Sequence, residues 1–299
     1  MTSARWPQLF VIGAPRSGTT FLSAVLGAHS DVYVCDMKEP HFFGSPTAGF
    51  SYAGPGDNWV NRTWVSDEQK YLSLFSGREE RLLCDASTNT LYWEKALEQI
   101  ESLPESAIYV CVLRDPVDRI ESMFFRHRAQ GLEPCESIID AIRSEEAHER
   151  TDWSPGFRYV EQSRYFEHIS RFAKAVDNRL LTFTFDEVTA EPLVAAKRIW
   201  ERCGLDTQEV TVPTSQNATP YFSNPILRAM LVRPLALRTI VARVAPARLV
   251  AWMQAQRDRR TGDSARLSVE EREFVLERVI DDARRTEELL GKRVLRAAA

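Results

Sequence analysis

The expected fold is decided by residues 10–20, which read FVIGAPRSGTT. An apolar run that is typical of a buried strand ends in a turn that contains Gly13 and Gly18, and helical periodicity follows at once. In this strand–turn–helix arrangement the backbone N–H groups point into the turn, and the helix dipole adds partial positive charge. The loop is therefore predicted to hold a phosphate or a similar anion; a plain glycine-rich turn is the alternative.

The cation of this loop distinguishes it from the loop of ATP- and GTP-binding proteins. The glycine spacing matches a Walker A loop, but Thr19 stands where that loop carries a Lys. Arg16 supplies the positive charge from a different position, while Thr19 and Thr20 offer hydroxyl donors at the helix start. The displaced cation favours a different phosphate pattern and no requirement for a metal.

Apolar runs that are typical of strands alternate with helical patterns along the chain. Further strands are predicted at residues 32–35, 81–84, 107–113 and 179–185. Helices are predicted at residues 92–102, 116–128, 159–176, 192–203 and 268–291, and another begins at Pro134. The alternation predicts an α/β fold in which helices cover both faces of a P-loop-like parallel sheet, with a helical C-terminal part at about residues 220–299. We interpret residues 1–299 as a single domain, in which Gly44 to Asn61 form an ordered surface loop.

The composition is that of a globular protein, with 44% hydrophobic and 27% charged residues among 299. The net charge of −4 argues against a nucleic-acid-binding protein. The five cysteines form no C-x-x-C pair, and the histidines show no metal-ligand spacing, which argues against a disulfide framework and a zinc site. Because no signal peptide or membrane-spanning run is evident, we expect a reducing compartment, the cytoplasm.

A second block, residues 112–122, reads VLRDPVDRIES. Arg114 follows a strand that is predicted to be buried on both faces, at the carboxyl end where open sheets bind ligands. Ser122 lies two turns into the next helix, within reach of the same group. Taken alone, Asp115 and Pro116 are also the N-cap and first residue of an ordinary helix.

Together the two blocks resemble the motifs of sulfotransferases that use 3′-phosphoadenosine-5′-phosphosulfate (PAPS) and release adenosine 3′,5′-bisphosphate (PAP). The resemblance implies that Arg114 and Ser122 bind the 3′-phosphate, and that Arg16 stabilises charge on the bridging and sulfuryl oxygens. It also implies that four loop residues hold the 5′-phosphate: Ser17, Gly18, Thr19 and Thr20. The last predicted helix is also similar to that of the family, so the resemblance covers most of the chain.

A third block, KEPHFF at residues 38–43, resembles a stretch of glycan-type sulfotransferases in which the Glu is the general base. We expect Pro40 to keep Glu39 extended, and we expect desolvation by Phe42 and Phe43 to raise the pKa of its carboxyl. His41 is predicted to orient Glu39 or to contact the sulfate. A surface carboxylate beside a core aromatic pair, with an ordinary histidine, is the alternative.

The chain departs from the glycan-type pattern at Ala86, where such proteins often carry a Lys. Any role of that Lys is then absent or passes to Arg16 or Lys38. The resemblance therefore leaves the hydroxyl acceptor open: a sugar, a lipid or another small metabolite.

An arginine occurs every five residues from Arg228 to Arg248. Steps of five advance by about 140° on a helix, so the arginines would form no stripe. Solvated charge is one interpretation; the other is that residues 228–260 contact a membrane surface, an acidic carrier protein or an anionic acceptor.

The function that we expect is transfer of a sulfuryl group from PAPS to a hydroxyl, with Glu39 as general base and no metal. Two alternatives remain open. One is a P-loop kinase that uses ATP and magnesium, and the other is a scaffold that binds an anion without catalysis.

Overall fold

A sheet of five parallel strands lies at the centre of the computed structural model, which describes residues 5–44, 51–100, 103, 105–212 and 266–296. The strands are β1 (Leu9–Gly13), β2 (Val32–Val34), β3 (Leu82–Asp85), β4 (Ile108–Leu113) and β5 (Leu180–Thr184). They lie in the order β2-β3-β1-β4-β5, and every neighbouring pair is parallel. The prediction of a P-loop-like parallel sheet is confirmed.

Helices connect the strands on both sides of the sheet. They are α1 (Thr19–Leu26), α2 (Asp57–Thr63), α3 (Glu68–Ser73), α4 (Glu94–Ile100), α5 (Pro116–Gln130), α6 (Ile138–Glu146), α7 (Phe166–Val176), α8 (Phe185–Ala190), α9 (Pro192–Arg202) and α10 (Val269–Leu290). Successive residues of a strand face opposite sides, so Tyr109 and Cys111 of β4 join one hydrophobic core and Val110 and Val112 join the other. The first core packs against α4 and α7, and the second against α1 and α9.

Some predicted boundaries are wrong for local reasons. The helix expected from Pro134 begins only at Ile138, because the Ser137 side chain accepts a hydrogen bond from Ile139 N and caps it there. The predicted helix 159–176 contains a short 3₁₀ turn before α7 starts at Phe166. The stretch interpreted as a surface loop includes the start of α2, which lacks the apolar periodicity of a longer helix.

The last helix packs against α5 and is defined by its caps. A capping box formed by Ser268 and Glu271 opens α10, and Gly291 closes it with φ of 61°, as the sequence predicts. Val275 and Val279 of α10 share a third hydrophobic core with α5 and α6. Most of the predicted C-terminal part, including residues 228–260 with their arginines, lies outside the described residues, and the assignment of one domain stays a prediction.

All five strands end at the same edge of the sheet, since they are parallel. The loops after β1, β2, β3 and β4 therefore meet there, as they do in open α/β sheets that bind ligands at the carboxyl ends of their strands. Within the described part of the chain, none of the helices has both the length and the apolar character needed to cross a membrane.

Candidate active site

The turn between β1 and α1 leaves the start of the helix open. Gly18 precedes α1 with φ of 85°, and no side chain caps the first N–H groups. A Cβ at Gly18 would lie 3.2 Å from Phe185 Cδ2 in a backbone conformation that side chains rarely allow. Ser17 is fully buried, and its Oγ has no hydrogen-bond partner in the described part of the chain. An unsatisfied buried hydroxyl costs about 1–3 kcal/mol, so the turn suits an anion that would accept from it.

Two arginines and a serine join this turn to the end of β4. Arg16 Nε donates to Ser122 Oγ at 3.0 Å, and Arg114 Nη1 donates to the carbonyl oxygen of Arg16 at 3.3 Å. The guanidinium of Arg114 also lies over the ring of Phe185, 4.7 Å from its centroid. Its Nε is buried without a partner among the described residues. The predicted anion-binding residues thus come together from strands that neighbour each other in the sheet.

The cluster carries concentrated positive charge. Burial and, after it, the charges of Arg126, Arg114 and Arg119 together lower the pKa of Arg16 to about 10. Burial likewise lowers the pKa of Arg114. Both side chains remain charged at neutral pH, and an anion with several charges would relieve their repulsion.

The loop after β2 places a carboxylate and an imidazole in contact. Glu39 Oε2 lies 3.1 Å from His41 Nε2 and accepts a hydrogen bond from Thr88 Oγ1 at 3.0 Å. Lys38 points toward the turn between β1 and α1, because its Nζ donates to Thr20 Oγ1 at 2.8 Å. The predicted base and the predicted anion loop therefore share one site.

Two expectations about Glu39 are wrong. Its φ is 59°, so Pro40 does not keep it extended, and His41 likewise has φ of 54°. Such values are strained for residues other than glycine and are typical of functional sites. Burial acts to raise the pKa of Glu39, but the hydrogen bond and charge of His41, the charge of Lys38 and the bond from Thr88 outweigh it, so the pKa lies below 4.5.

The aromatic pair after His41, which the sequence predicts to desolvate Glu39, does not line the cavity of the site. Phe42 and Phe43 are buried and pack into the first hydrophobic core. The rings of Phe42 and Tyr71 stack at 4.4 Å. The ring that does contact His41 is that of Trp64, at 4.6 Å between centroids.

A cavity of about 2190 Å³ opens over these loops. Arg16, Glu39 and Arg114 line it, as do residues of α2 and of α5. It has room for a nucleotide and a second molecule.

A family comparison identifies the type of site. A family model described as the sulfotransferase family matches residues 7–209, more than half of the chain. The chain belongs to the sulfotransferase family. A search of curated protein sequences found no match.

Solved structures show what this sulfotransferase is similar to in fold. A sulfotransferase from Alicyclobacillus acidocaldarius aligns over 96% of this chain and 97% of its own, with 23% identity and a TM-score of 0.70. The sulfotransferase domain from the curacin biosynthetic pathway aligns over 91% of this chain and 97% of its own, with 15% identity and a TM-score of 0.47. Mouse sulfotransferase SULT7A1 complexed with PAP aligns over 92% and 90%, with 14% identity and a TM-score of 0.45.

The sequence of the sulfotransferase did not reveal what holds the loop after β2. The backbone N–H of His41 donates to Ser87 Oγ at 2.9 Å, and Ser87 Oγ donates to Asp85 Oδ1 at 2.6 Å. Tyr71 OH donates to the other oxygen of Asp85 at 2.7 Å. Asp85 is the last residue of β3, so a buried polar chain ties the loop to the sheet. The position of Asp85 at the end of a predicted strand is the sequence feature that could have indicated this role.

Ala86 packs against the second hydrophobic core of the sulfotransferase and brings no charge to the site. Among the cations that line the cavity, Lys38 lies beside Glu39 in the sequence and contacts the first turn of α1. The sequence suggests Arg16 and Lys38 as substitutes for the Lys of glycan-type proteins. Both of them line the same cavity.

Proposed function

We propose that this sulfotransferase uses PAPS as donor and transfers its sulfuryl group to a hydroxyl of a sugar, a lipid or another small metabolite. The observation that carries the proposal is the hydrogen bond between Arg16 and Ser122, since it joins the anion loop to the second motif in one site. A donor with phosphates at both ends of an adenosine needs two such anion sites.

The residues present suit this donor. Four loop residues are proposed to hold the 5′-phosphate: Ser17, Gly18, Thr19 and Thr20. The orphaned Oγ of Ser17 and the open start of α1 support this role. Arg114 and Ser122 are proposed to bind the 3′-phosphate, and the unsatisfied Nε of Arg114 supports that role.

Glu39 and the residues around it have separate roles in the proposed transfer. When bound, PAPS supplies a sulfuryl group whose bond to a phosphate oxygen breaks as a bond to the acceptor oxygen forms. Glu39 accepts the hydroxyl proton, for which its low pKa keeps it ionised at neutral pH. His41 and Thr88 orient the carboxylate through their hydrogen bonds. Arg16 and Lys38 stabilise the negative charge that develops on the leaving side.

The proposal includes no metal and no nucleic acid partner, and it places the protein in the cytoplasm. The five cysteines all lie in the described part of the chain and are free thiols, which supports a reducing compartment.

A thermal-shift experiment separates the proposal from a kinase. We expect PAP without metal to raise the melting temperature, because binding to the folded state alone stabilises it. ATP with magnesium should give a smaller shift, since Thr19 replaces the Lys that reaches its terminal phosphates. A larger shift with ATP and magnesium would overturn the proposed donor. An anion-binding scaffold would bind PAP but would transfer no label from radioactive PAPS to any component of a metabolite extract.

A further inference from the structure

The part of the cavity beyond Glu39 has apolar walls from two elements that are distant in sequence. Trp59 and Trp64 come from α2 and the residue after it, and Phe157 comes from the 3₁₀ turn Pro155–Phe157. Trp59 is 69% exposed and is among the most exposed large apolar side chains of the described residues. An exposed tryptophan at a cavity is typical of a binding surface.

These walls are fixed to each other and to the site. Asp57, at the start of α2, is buried, and its Oδ2 accepts the backbone N–H of Ser154 at 2.9 Å, next to the 3₁₀ turn. Trp64 contacts His41, and Phe157 stacks on His127 at 4.2 Å between ring centroids. The apolar cleft is thus built into the fold beside Glu39.

Arg126 adds a positive charge to the cavity that contains this cleft. It lies on α5, one turn after Ser122, and lines the cavity. Its charge helps to lower the pKa of Arg16. Burial and, to a smaller extent, nearby arginines that include Arg126 lower the pKa of His127 to about 3, so His127 is neutral at physiological pH. No hydrogen bond or ion pair joins Arg126 to any residue that the structure describes.

Each carboxylate that lines the same cavity either contacts another group or is exposed to solvent. Glu39 contacts His41, and Arg272 forms ion pairs with both Asp118 and Glu121. The remaining ones either accept backbone N–H groups or are exposed: Asp57, Asp115 and Glu273. In the described part of the chain, none of these carboxylates forms an ion pair with Arg126, so its guanidinium is available to a molecule in the cavity.

We propose that the acceptor is an amphipathic hydroxy acid, whose anionic group binds Arg126 while its apolar part lies along Trp59, Trp64 and Phe157. The inference rests on the proposed function, because it takes Glu39 as the residue that meets the hydroxyl. Guanidinium groups bind carboxylates and similar anions through two parallel hydrogen bonds. The apolar walls account for the rest of the molecule, since burial of apolar area favours binding.

The test uses the full chain saturated with PAP, so that the anion sites of the donor are filled. Three probes are titrated by calorimetry: ω-hydroxydecanoate, decanediol with a hydroxyl at each end, and the short acid glycolate. We expect ω-hydroxydecanoate to bind at least about ten-fold more tightly than either of the others, because a charge-assisted contact is worth about that much. Equal binding of the acid and the diol would overturn the inference.

Variants assign the preference to Arg126. Arg126→Gln should abolish the preference for the acid over the diol, and Arg126→Lys should retain most of it. Arg143→Gln is the matched control, since Arg143 lies on α6 and does not line the cavity. Unchanged PAP affinity shows that each variant is folded. Retention of the preference in Arg126→Gln contradicts the proposal. Inorganic sulfate is titrated as a fourth probe: if Arg126→Gln loses sulfate binding but keeps the preference for the acid, Arg126 belongs to the site of the transferred group and the proposal is overturned.

The two proposals fail in different ways. Absence of PAP binding by the unmodified protein would overturn the proposed donor whatever the probes do. PAP binding without a preference for the long acid would overturn only the inference about the acceptor.

Discussion

Arg16 Nε donates a hydrogen bond to Ser122 Oγ at 3.0 Å, although 106 positions separate the two residues in the sequence. The contact follows from the sheet, in which β1 and β4 are neighbours and both end at the same edge. The two sequence blocks that resemble sulfotransferase motifs are therefore halves of one site, and each can be tested separately.

Arg114→Ala should weaken binding of PAP far more than binding of 5′-AMP, because Arg114 is assigned to the 3′-phosphate alone. Loss of a charge-assisted contact costs about 1.5–3 kcal/mol, which is roughly ten- to hundred-fold in affinity. Calorimetric titration of both nucleotides measures the difference, with Arg143→Ala as a control outside the cavity. An equal loss for both nucleotides would remove Arg114 from the 3′-phosphate site.

Glu39→Gln should lower kcat about 10²–10⁴-fold, the usual contribution of a positioned general base. Gln keeps the size of the side chain but cannot accept the proton. PAP affinity should stay nearly unchanged, since Glu39 is not assigned to the donor. Initial rates with labelled PAPS measure the effect once an acceptor is found, and Glu68→Gln on the exposed start of α3 is the control. Retention of more than about a tenth of kcat would exclude Glu39 as the base.

The pH profile should distinguish Glu39 from a histidine base. Because the pKa of Glu39 is lowered from the ordinary glutamate value in the folded protein, kcat/KM should hold its level through the neutral and mildly acid range and fall only where the carboxylate becomes protonated. A histidine base would lose activity between about pH 6 and 7. A decline centred there would assign the proton transfer to an imidazole.

His41→Asn should move the acidic limb of that profile to higher pH. The variant removes a contact that lowers the pKa of Glu39 and leaves the burial that raises it. The shift in the limb, rather than the size of kcat, is the measurement, because a purely structural role would reduce activity at every pH alike. An unmoved limb would show that His41 does not tune the carboxylate.

Activity should survive EDTA. A sulfuryl group carries less negative charge than a phosphoryl group, and backbone N–H groups with Arg16 and Lys38 can balance it. The assay compares initial rates before and after chelation and after magnesium is added back. Loss of activity with recovery in magnesium would favour the kinase interpretation.

The parts of the site that were predictable are those that local pattern encodes. The apolar run before Gly13 and the glycine at Gly18 indicate a strand, a turn and a helix without knowledge of any other segment. Asp115 and Pro116 mark the start of α5 in the same way, and its N-cap is confirmed by hydrogen bonds from Val117 N and Asp118 N.

The parts that failed depend on backbone geometry and contacts that local pattern does not encode. The pKa of Glu39 is lowered chiefly by His41, which the turn brings back onto it, then by the charge of Lys38 and last by Thr88, which lies 49 positions away. Trp59 and Trp64 escaped notice because α2 is short and follows a stretch rich in Gly and Pro. Arg126 differs from other surface arginines only in what surrounds it, which sequence does not show.

The helix α10 lies outside the residues 7–209 that the family model matches, yet it braces α5, which carries both Ser122 and Arg126. Arg272 of α10 ion-pairs with Asp118 and Glu121, and Val275 and Val279 fill the core that α5 shares. A chain cut after residue 209 is expected to expose that core and to release the helix that bears half of the proposed nucleotide site. The smallest piece able to fold and bind on its own is therefore longer than the region by which the family is recognised.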